Sequence, residues 1–396
     1  MEAYLDNAAT TKTSQAAIDI MKKVMETDYA NPSSMHTKGM LAENYIKEAR
    51  QIIADSLKVQ PKEIYFTSGG TESNNTAIIG TALANVRKGK HVITTVMEHA
   101  SVYNPMFFLE EMGYEVSYIP VDSMGHVDID KLCSSIRPDT VLISMMMVNN
   151  EVGALVDITS ISKMAKEINP NVYIHVDAIQ GYGKYKIFPK KTGIDMLSVS
   201  GHKIHGPKGS GFLYVDQKVK IKPIIYGGGQ EKGMRSGTEN VPAIAGLGVA
   251  VSQYYEGHAD KINALYDLKE AFIRKVLTID GVSVNAVDVT DMSDEALKNA
   301  VRSTAPHIVS VSFKNIRSEV LLHALEEKGV YVSSGSACSS NHPQISGTLK
   351  AIGVDKQLLD STLRFSFSIH TTMEEIDYAI EMLKELVPVY SRYVRR

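Results

Sequence analysis

At 396 residues the chain exceeds the length at which one hydrophobic core usually stops growing, so two lobes are expected, and its 44% hydrophobic and 22% charged residues are ordinary for a globular protein. A formal charge of -3 and a pI near 6.5 leave no electrostatic footprint for nucleic acid, and no apolar run approaches the roughly 20 residues that cross a bilayer. The start, Met1-Glu2-Ala3-Tyr4-Leu5-Asp6, carries no signal-peptide pattern, and the two cysteines, Cys133 and Cys338, stand in no CxxC or Cys/His cluster, which excludes a disulfide framework and a cysteine-built zinc site and predicts a cytoplasmic location without a metal centre.

In chain order, Ile46, Ala49, Ile53 and Leu57 recur at helical spacing and predict a core-facing helix. From about residue 60 to 215, β-rich runs alternate with helical stretches: Ile64-Tyr65-Phe66-Thr67, His91-Val92-Ile93-Thr94, Val116-Ser117-Tyr118-Ile119, Val141-Leu142-Ile143-Ser144, Val172-Tyr173-Ile174-His175-Val176 and Met196-Leu197-Ser198-Val199. That alternation predicts an α/β layer on a largely parallel sheet, whose ligands gather at the carboxyl ends of the strands. A second stripe, Ile262, Leu265, Leu268, Phe272 and Val276, opens a charged and then Asp-rich region between about 256 and 300, read as the entry to a second domain. Thr372 with Glu375 three residues on is a capping box for a last helix with a buried stripe of Ile376, Ile380, Leu383 and Val387, which Pro388 is expected to stop.

Three strand ends carry unusual residues. Ser68-Gly69-Gly70-Thr71-Glu72-Ser73-Asn74-Asn75 follows one strand and opens a helix, a place where backbone N–H groups and the helix dipole favour a phosphate, although such turns are also often merely tight. No GxxxxGK[ST] or GxGxxG accompanies it. Asp177 and Gln180 end another apolar strand, where a buried carboxylate needs a cationic or hydrogen-bonding partner; a protonated pyridine nitrogen and an ordinary helix cap are both open readings. Lys203, in Ser200-Gly201-His202-Lys203, follows the next strand and in isolation reads as a surface charge. Together an anion-binding helix start, a strand-end Asp and a strand-end Lys are the parts pyridoxal phosphate requires.

This order of motifs resembles the NifS/IscS-type cysteine desulfurases, fold-type I pyridoxal-phosphate enzymes of the class V aminotransferase superfamily. The likeness runs from Leu5-Asp6-Asn7-Ala8-Ala9-Thr10-Thr11 and Asn31-Pro32-Ser33-Ser34 through Phe66-Thr67-Ser68-Gly69-Gly70-Thr71-Glu72-Ser73, Glu98-His99, Val148-Asn149-Asn150-Glu151 and His175-Val176-Asp177 to Ser200-Gly201-His202-Lys203, Arg235-Ser236-Gly237-Thr238 and Ser333-Ser334-Gly335-Ser336-Ala337-Cys338. It implies a large domain with a mostly parallel sheet over 15–255 and a smaller α+β domain built from 1–14 and 256–396. Lys203 would carry the cofactor and move protons, Asp177 would keep the ring nitrogen protonated, His99 would stack on the ring as acid or base, and Gln180 would bond the phenolic oxygen. Gly70, Thr71, Ser200 and His202 would hold the phosphate, with Thr238 reaching in from the second subunit of a homodimer. Asn150 and Arg364 would bind the carboxylate of the substrate, L-cysteine.

The resemblance also implies the chemistry: Cys338, in a Ser/Gly/Ala run that cannot build a core, takes sulfur from cysteine as a persulfide, leaves alanine, and passes the sulfur to an acceptor for iron–sulfur cluster assembly or thiolation of tRNA or a cofactor. Cys133, in a helical pattern, reads as a packing residue. Selenocysteine lyase is the alternative activity on the same cofactor site. Two departures stand out. Where the family usually reads Arg-Phe-Ser-Leu-Gly, this chain has Arg364-Phe365-Ser366-Phe367-Ser368-Ile369-His370, and it ends at Arg396 without the longer tail that IscS-type members use to meet a scaffold, so a different acceptor is expected.

Overall fold

The computed structural model describes residues 1–334 and 345–392. Among these residues thirteen strands form three sheets. The short β1 (Ala3–Tyr4) comes first, and the seven-stranded sheet then takes β2 (Ile64–Thr67), β3 (His91–Thr95), β4 (Glu115–Ile119), β5 (Thr140–Met146), β6 (Tyr173–Asp177), β7 (Met196–Ser200) and β8 (Gly211–Val215). Their spatial order is β2-β8-β7-β6-β5-β3-β4, parallel throughout except where β8 runs against β7 and β2. The expected parallel sheet is therefore present, with β8 added. Its run Gly211-Phe212-Leu213-Tyr214-Val215 is buried at every position like its neighbours, but it opens on a glycine directly after Gly206-Pro207-Lys208-Gly209-Ser210, so it reads as the continuation of a loop.

Burial on both faces explains why the other strands read as continuous apolar runs. Val92, Leu142, Tyr173 and Met196 enter one core, shared with the helices Gly70–Asn85 and Ala100–Glu111. Their neighbours Ile93, Ile143, Ile174 and Leu197 enter the other, as successive strand side chains must. The predicted stripe Ile46, Ala49, Ile53 and Leu57 lies in the helix Thr37–Leu57 and is buried in that second core.

The third sheet is four-stranded and antiparallel, in the order β12 (Ser333–Ser334), β13 (Thr362–Ser366), β10 (Ile308–Phe313), β9 (Val282–Asn285). Helices His258–Val276 and Met373–Tyr390 pack against each other beside it through the two predicted stripes, all buried. The capping box forms as expected: Thr372 Oγ1 accepts the Glu375 N–H at 3.2 Å and the Glu375 carboxylate accepts the Thr372 N–H at 2.7 Å. Pro388 does not stop this helix, which runs on to Tyr390. Pro388 and Lys384 both lie on the exposed face, where the carbonyl the ring would strike can tilt toward water, and the turn still closes with Ser391 N–H on Val387 O at 3.0 Å.

The first residues tie the sheets together. β1 pairs in parallel with β11 (Val330–Tyr331), and Asp6 bridges to Ser366 at the end of β13. From there the chain crosses to the turn after β7, where Thr11 N–H donates to His202 O at 2.8 Å.

Candidate active site

The helix Gly70–Asn85 begins directly after β2, and its approach to the neighbouring strand ends depends on glycine. Gly69 has φ +146°, and a Cβ on Gly70 would come within 2.1 Å of Ile179 Cδ1. The turn is braced by Glu72, whose carboxylate accepts Ser68 N–H at 2.9 Å and Arg235 Nε–H at 2.9 Å. Burial pushes the Glu72 carboxyl up, and the Arg235 and Ser68 bonds more than offset it, leaving it below the usual range. Gly70 and Thr71 at this helix start lie beside Ser200 and, with it and His202, line a cavity of about 230 Å³.

Asp177, the last residue of β6, lines that cavity and is 5% exposed. Its carboxylate accepts Asn74 Nδ2–H at 2.7 Å and Ile179 N–H at 3.0 Å, both neutral amides, and burial pushes its pKa up. The anion thus lacks the full complement that a cation at the cavity would supply. Gln180, two elements of a turn further, donates from Nε2 to Ala8 O at 2.9 Å and meets His307 Nε2 at 3.1 Å through its own carbonyl.

The short 3-10 turn Gly201–Lys203 after β7 points Lys203 into the cavity. Its Nζ donates to the main-chain oxygens of Ala8 and Ala9 at 2.6 and 2.7 Å. Behind it the buried Lys184 donates to the Lys203 carbonyl at 2.8 Å; burial, and then the nearby Lys203, bring Lys184 down to about 7. Burial, followed by Lys203 and Lys208, also lowers His202 to about 4, so its imidazole is neutral at pH 7.

The far wall is formed by Asn150 and Arg364. Arg364, on β13 and 4% exposed, donates from Nη1 to Asn150 O at 2.8 Å and from Nη2 to Asp6 Oδ1 at 2.9 Å. The altered segment after it leaves this placement intact: β13 is regular to Ser366, and Phe367 is buried against Phe272. His99 closes the cavity as N-cap of the helix Ala100–Glu111, its Nδ1 accepting Ser101 N–H at 3.1 Å.

Ten of the residues singled out in the sequence (Gly70, Thr71, His99, Asn150, Asp177, Gln180, Ser200, His202, Lys203 and Arg364) therefore line one cavity. Thr238 does not: it is exposed on the loop that Arg235 ties to Glu72. Cys338 lies outside the described residues. Cys133 sits in the helix Ile129–Ser135, half-buried, with its thiol 3.0 Å from Met164 Sδ, as a packing residue should. Sequence reasoning missed the carbonyls of Ala8 and Ala9, Lys184, Asn74 and Ser101. The first two act through backbone and carry no side-chain signal, and the others act from behind the cavity wall or beside it.

The class V aminotransferase family model matches residues 3–379. Cysteine desulfurase IscS of Dictyoglomus turgidum is 41% identical over 386 residues, covering 98% of this chain and 94% of that one. Its namesake from Methanosarcina thermophila is 41% identical over 384 residues, 97% and 91% of the two chains. Among solved structures, a NifS-like protein superposes with a TM-score of 0.89 at 34% identity, over 98% of this chain and all of the other. SspA in complex with cysteine does so with a TM-score of 0.76 at 35% identity, covering 93% of this chain and all of that one. Sheet order and cavity together are those of a fold-type I pyridoxal-phosphate enzyme. The chain belongs to the class V aminotransferase family, in its branch of IscS- and NifS-type cysteine desulfurases.

The donor set fits that cofactor. Asp177 suits a protonated ring nitrogen, the glycine-cut helix start with Thr71, Ser200 and neutral His202 suits a phosphate, and Lys203 lines the same cavity.

Proposed function

We propose that this protein is a cysteine desulfurase that converts L-cysteine and the Cys338 thiol to L-alanine and a Cys338 persulfide. The observation that carries this reading is the convergence of Lys203, Asp177, His99 and Arg364 on one cavity at the carboxyl edge of the sheet. Pyridoxal phosphate, when bound, supplies an electron sink for negative charge at the substrate carbons. Lys203 would hold it covalently and afterwards carry protons, Asp177 would hold the ring-nitrogen proton, Gly70, Thr71, Ser200 and His202 would hold its phosphate, and Gln180 would bond the ring oxygen. Arg364 orients the substrate carboxylate through its planar guanidinium, with Asn150 beside it. Held in that way by Asp6 and the Asn150 carbonyl, the guanidinium keeps its direction before substrate arrives.

Cys338 supplies the sulfur acceptor as a thiolate: its S–S bond forms as the substrate C–S bond breaks, and the electron pair left on the carbon framework takes up a proton to give alanine. The persulfide sulfur then passes to an acceptor protein. Thr238 completes the phosphate site of a second subunit, a reading supported by its exposure away from its own cavity. The two sheets support a division into a large domain of 15–255 and a small one of 1–14 and 256–396. Among the described residues no helix is long and apolar enough to cross a membrane; with only two cysteines in no framework, we place the protein in the cytoplasm.

The test begins with the visible spectrum of the purified protein, which should be yellow, and with alanine and sulfide formation from L-cysteine. Borohydride reduction should fix the pyridoxyl label on the peptide bearing Lys203. After a single turnover without reductant the persulfide should be on Cys338; Cys338→Ala should retain cofactor and make almost no alanine, while Cys133→Ala keeps most activity. A label on Lys208, a persulfide on Cys133, or normal alanine formation by Cys338→Ala would sink this assignment.

A further inference from the structure

Beside the cavity a continuous run of hydrogen bonds joins two residues that the proposed function uses separately. Asn74, fully buried in the helix Gly70–Asn85, donates from Nδ2 both to Asp177 Oδ2 at 2.7 Å and to Ser101 Oγ at 2.9 Å. The Ser101 hydroxyl in turn lies 2.9 Å from His99 Nδ1, and Ser101 N–H reaches the same nitrogen at 3.1 Å.

The donors can be assigned from chemistry alone. An amide oxygen turned toward the Asp177 carboxylate would be repelled, so the nitrogen of Asn74 faces it and spends its second N–H on Ser101 Oγ. A main-chain N–H can only donate, so His99 Nδ1 presents a lone pair to Ser101. The Ser101 hydroxyl already accepts from Asn74, and its own proton is therefore directed to that same lone pair. Neutral His99 must then carry its proton on Nε2, the nitrogen across the ring from the helix it caps.

We infer that Ser101 is a positioning residue which, oriented by Asn74, fixes His99 as the Nε2–H tautomer and makes it a proton donor toward cofactor and substrate. The inference rests on the proposed placement of His99 at the cofactor. Two hydrogen bonds donated onto Nδ1 stabilise the neutral ring over the imidazolium, so they weaken proton binding by His99. Among the described residues, the charged groups near the imidazole include Asp177 and Glu151, which favour its protonation, and Lys203 and Arg364, which line the same cavity beside the neutral His202. None of these is altered by a change at Ser101, which is 6% exposed and uncharged.

The experiment is nitrogen NMR of the full chain labelled at its histidines, without and with pyridoxal phosphate, the His99 signals being assigned by their loss in His99→Gln. The wild-type protein should show a protonated Nε2 and a bare Nδ1 at neutral pH. Ser101→Ala should bind the imidazole proton about three- to tenfold more tightly, the effect of losing one ordinary hydrogen bond to the neutral form. Ser101→Thr, which keeps the hydroxyl, should match the wild type. A proton on Nδ1 in the wild type, an unchanged proton affinity in Ser101→Ala, or a Ser101→Thr protein that behaves like Ser101→Ala would overturn the inference. These readings come from the imidazole and not from turnover, so a failure of the desulfurase assignment, seen as absent alanine formation, is distinguishable from a failure here.

Discussion

Arg364 shows how a binding side chain is aimed by its neighbours before a ligand arrives. Its two terminal nitrogens are already committed to Asp6 and to the Asn150 carbonyl, so the fork is aimed before binding. Arg364→Lys keeps the charge and loses the plane; with charge-assisted hydrogen bonds worth about 1.5–3 kcal/mol, KM for L-cysteine should rise about ten- to a hundredfold while the cofactor spectrum stays normal, as steady-state assays and absorbance will show. At the other wall, Asp177→Asn puts a neutral amide where a ring-nitrogen proton needs an anion. Cofactor binding should survive and turnover should fall by about two orders of magnitude or more, measured as alanine release under saturating cysteine. Asp177 could be singled out in the sequence because a carboxylate at the end of an apolar strand is conspicuous, whereas Arg364 was reached only through the resemblance. What holds Lys203 was not legible, because the carbonyls of Ala8 and Ala9 would be the same atoms whatever side chains stood there.

Among the elements, the turn between β3 and the helix Ala100–Glu111 carries a carboxyl that no catalytic role requires. Glu98 is buried, accepts Thr95 Oγ1–H at 2.7 Å and Met146 N–H at 3.0 Å, and is pushed by burial up to about 8. Its folded pKa lies above the ordinary 4.5, so the folded protein holds a proton that the unfolded chain has released. Stability from this group is fully present below about pH 4.5 and is lost as pH rises through about 8. Glu98→Gln, neutral at every pH, should flatten that decline: its Tm relative to wild type should improve by a few degrees between about pH 6 and about pH 9, as calorimetry at the two values will reveal. Elements with amphipathic stripes, such as Thr37–Leu57 and Met373–Tyr390, were legible from their spacing. β8 was not, since it opens on a glycine directly after the loop-like Gly206-Pro207-Lys208-Gly209-Ser210, and Pro388 misled because its effect depends on which side of the helix faces water.

At the scale of the whole molecule, Thr238 stands exposed on a loop tied through Arg235 to Glu72, beside Tyr226, which is 76% exposed. Both features are consistent with the homodimer proposed above. Light scattering should give twice the 43.5 kDa chain mass, and Thr238→Val should lower affinity for pyridoxal phosphate without dissociating that dimer. The large parallel sheet was readable in advance, whereas the smaller domain was implied only by the resemblance; the thread that joins the sheets was not readable, because β1 is two residues long. That thread has a consequence for synthesis. Asn7 and Ala8 bond to Ser366, roughly the whole chain away, and the same segment supplies the carbonyls that hold Lys203. On the ribosome Asn7 and Ala8 must wait for β13 before they gain their Ser366 partners, so the strap that seats Lys203 is completed only late in synthesis, after the large sheet has been made.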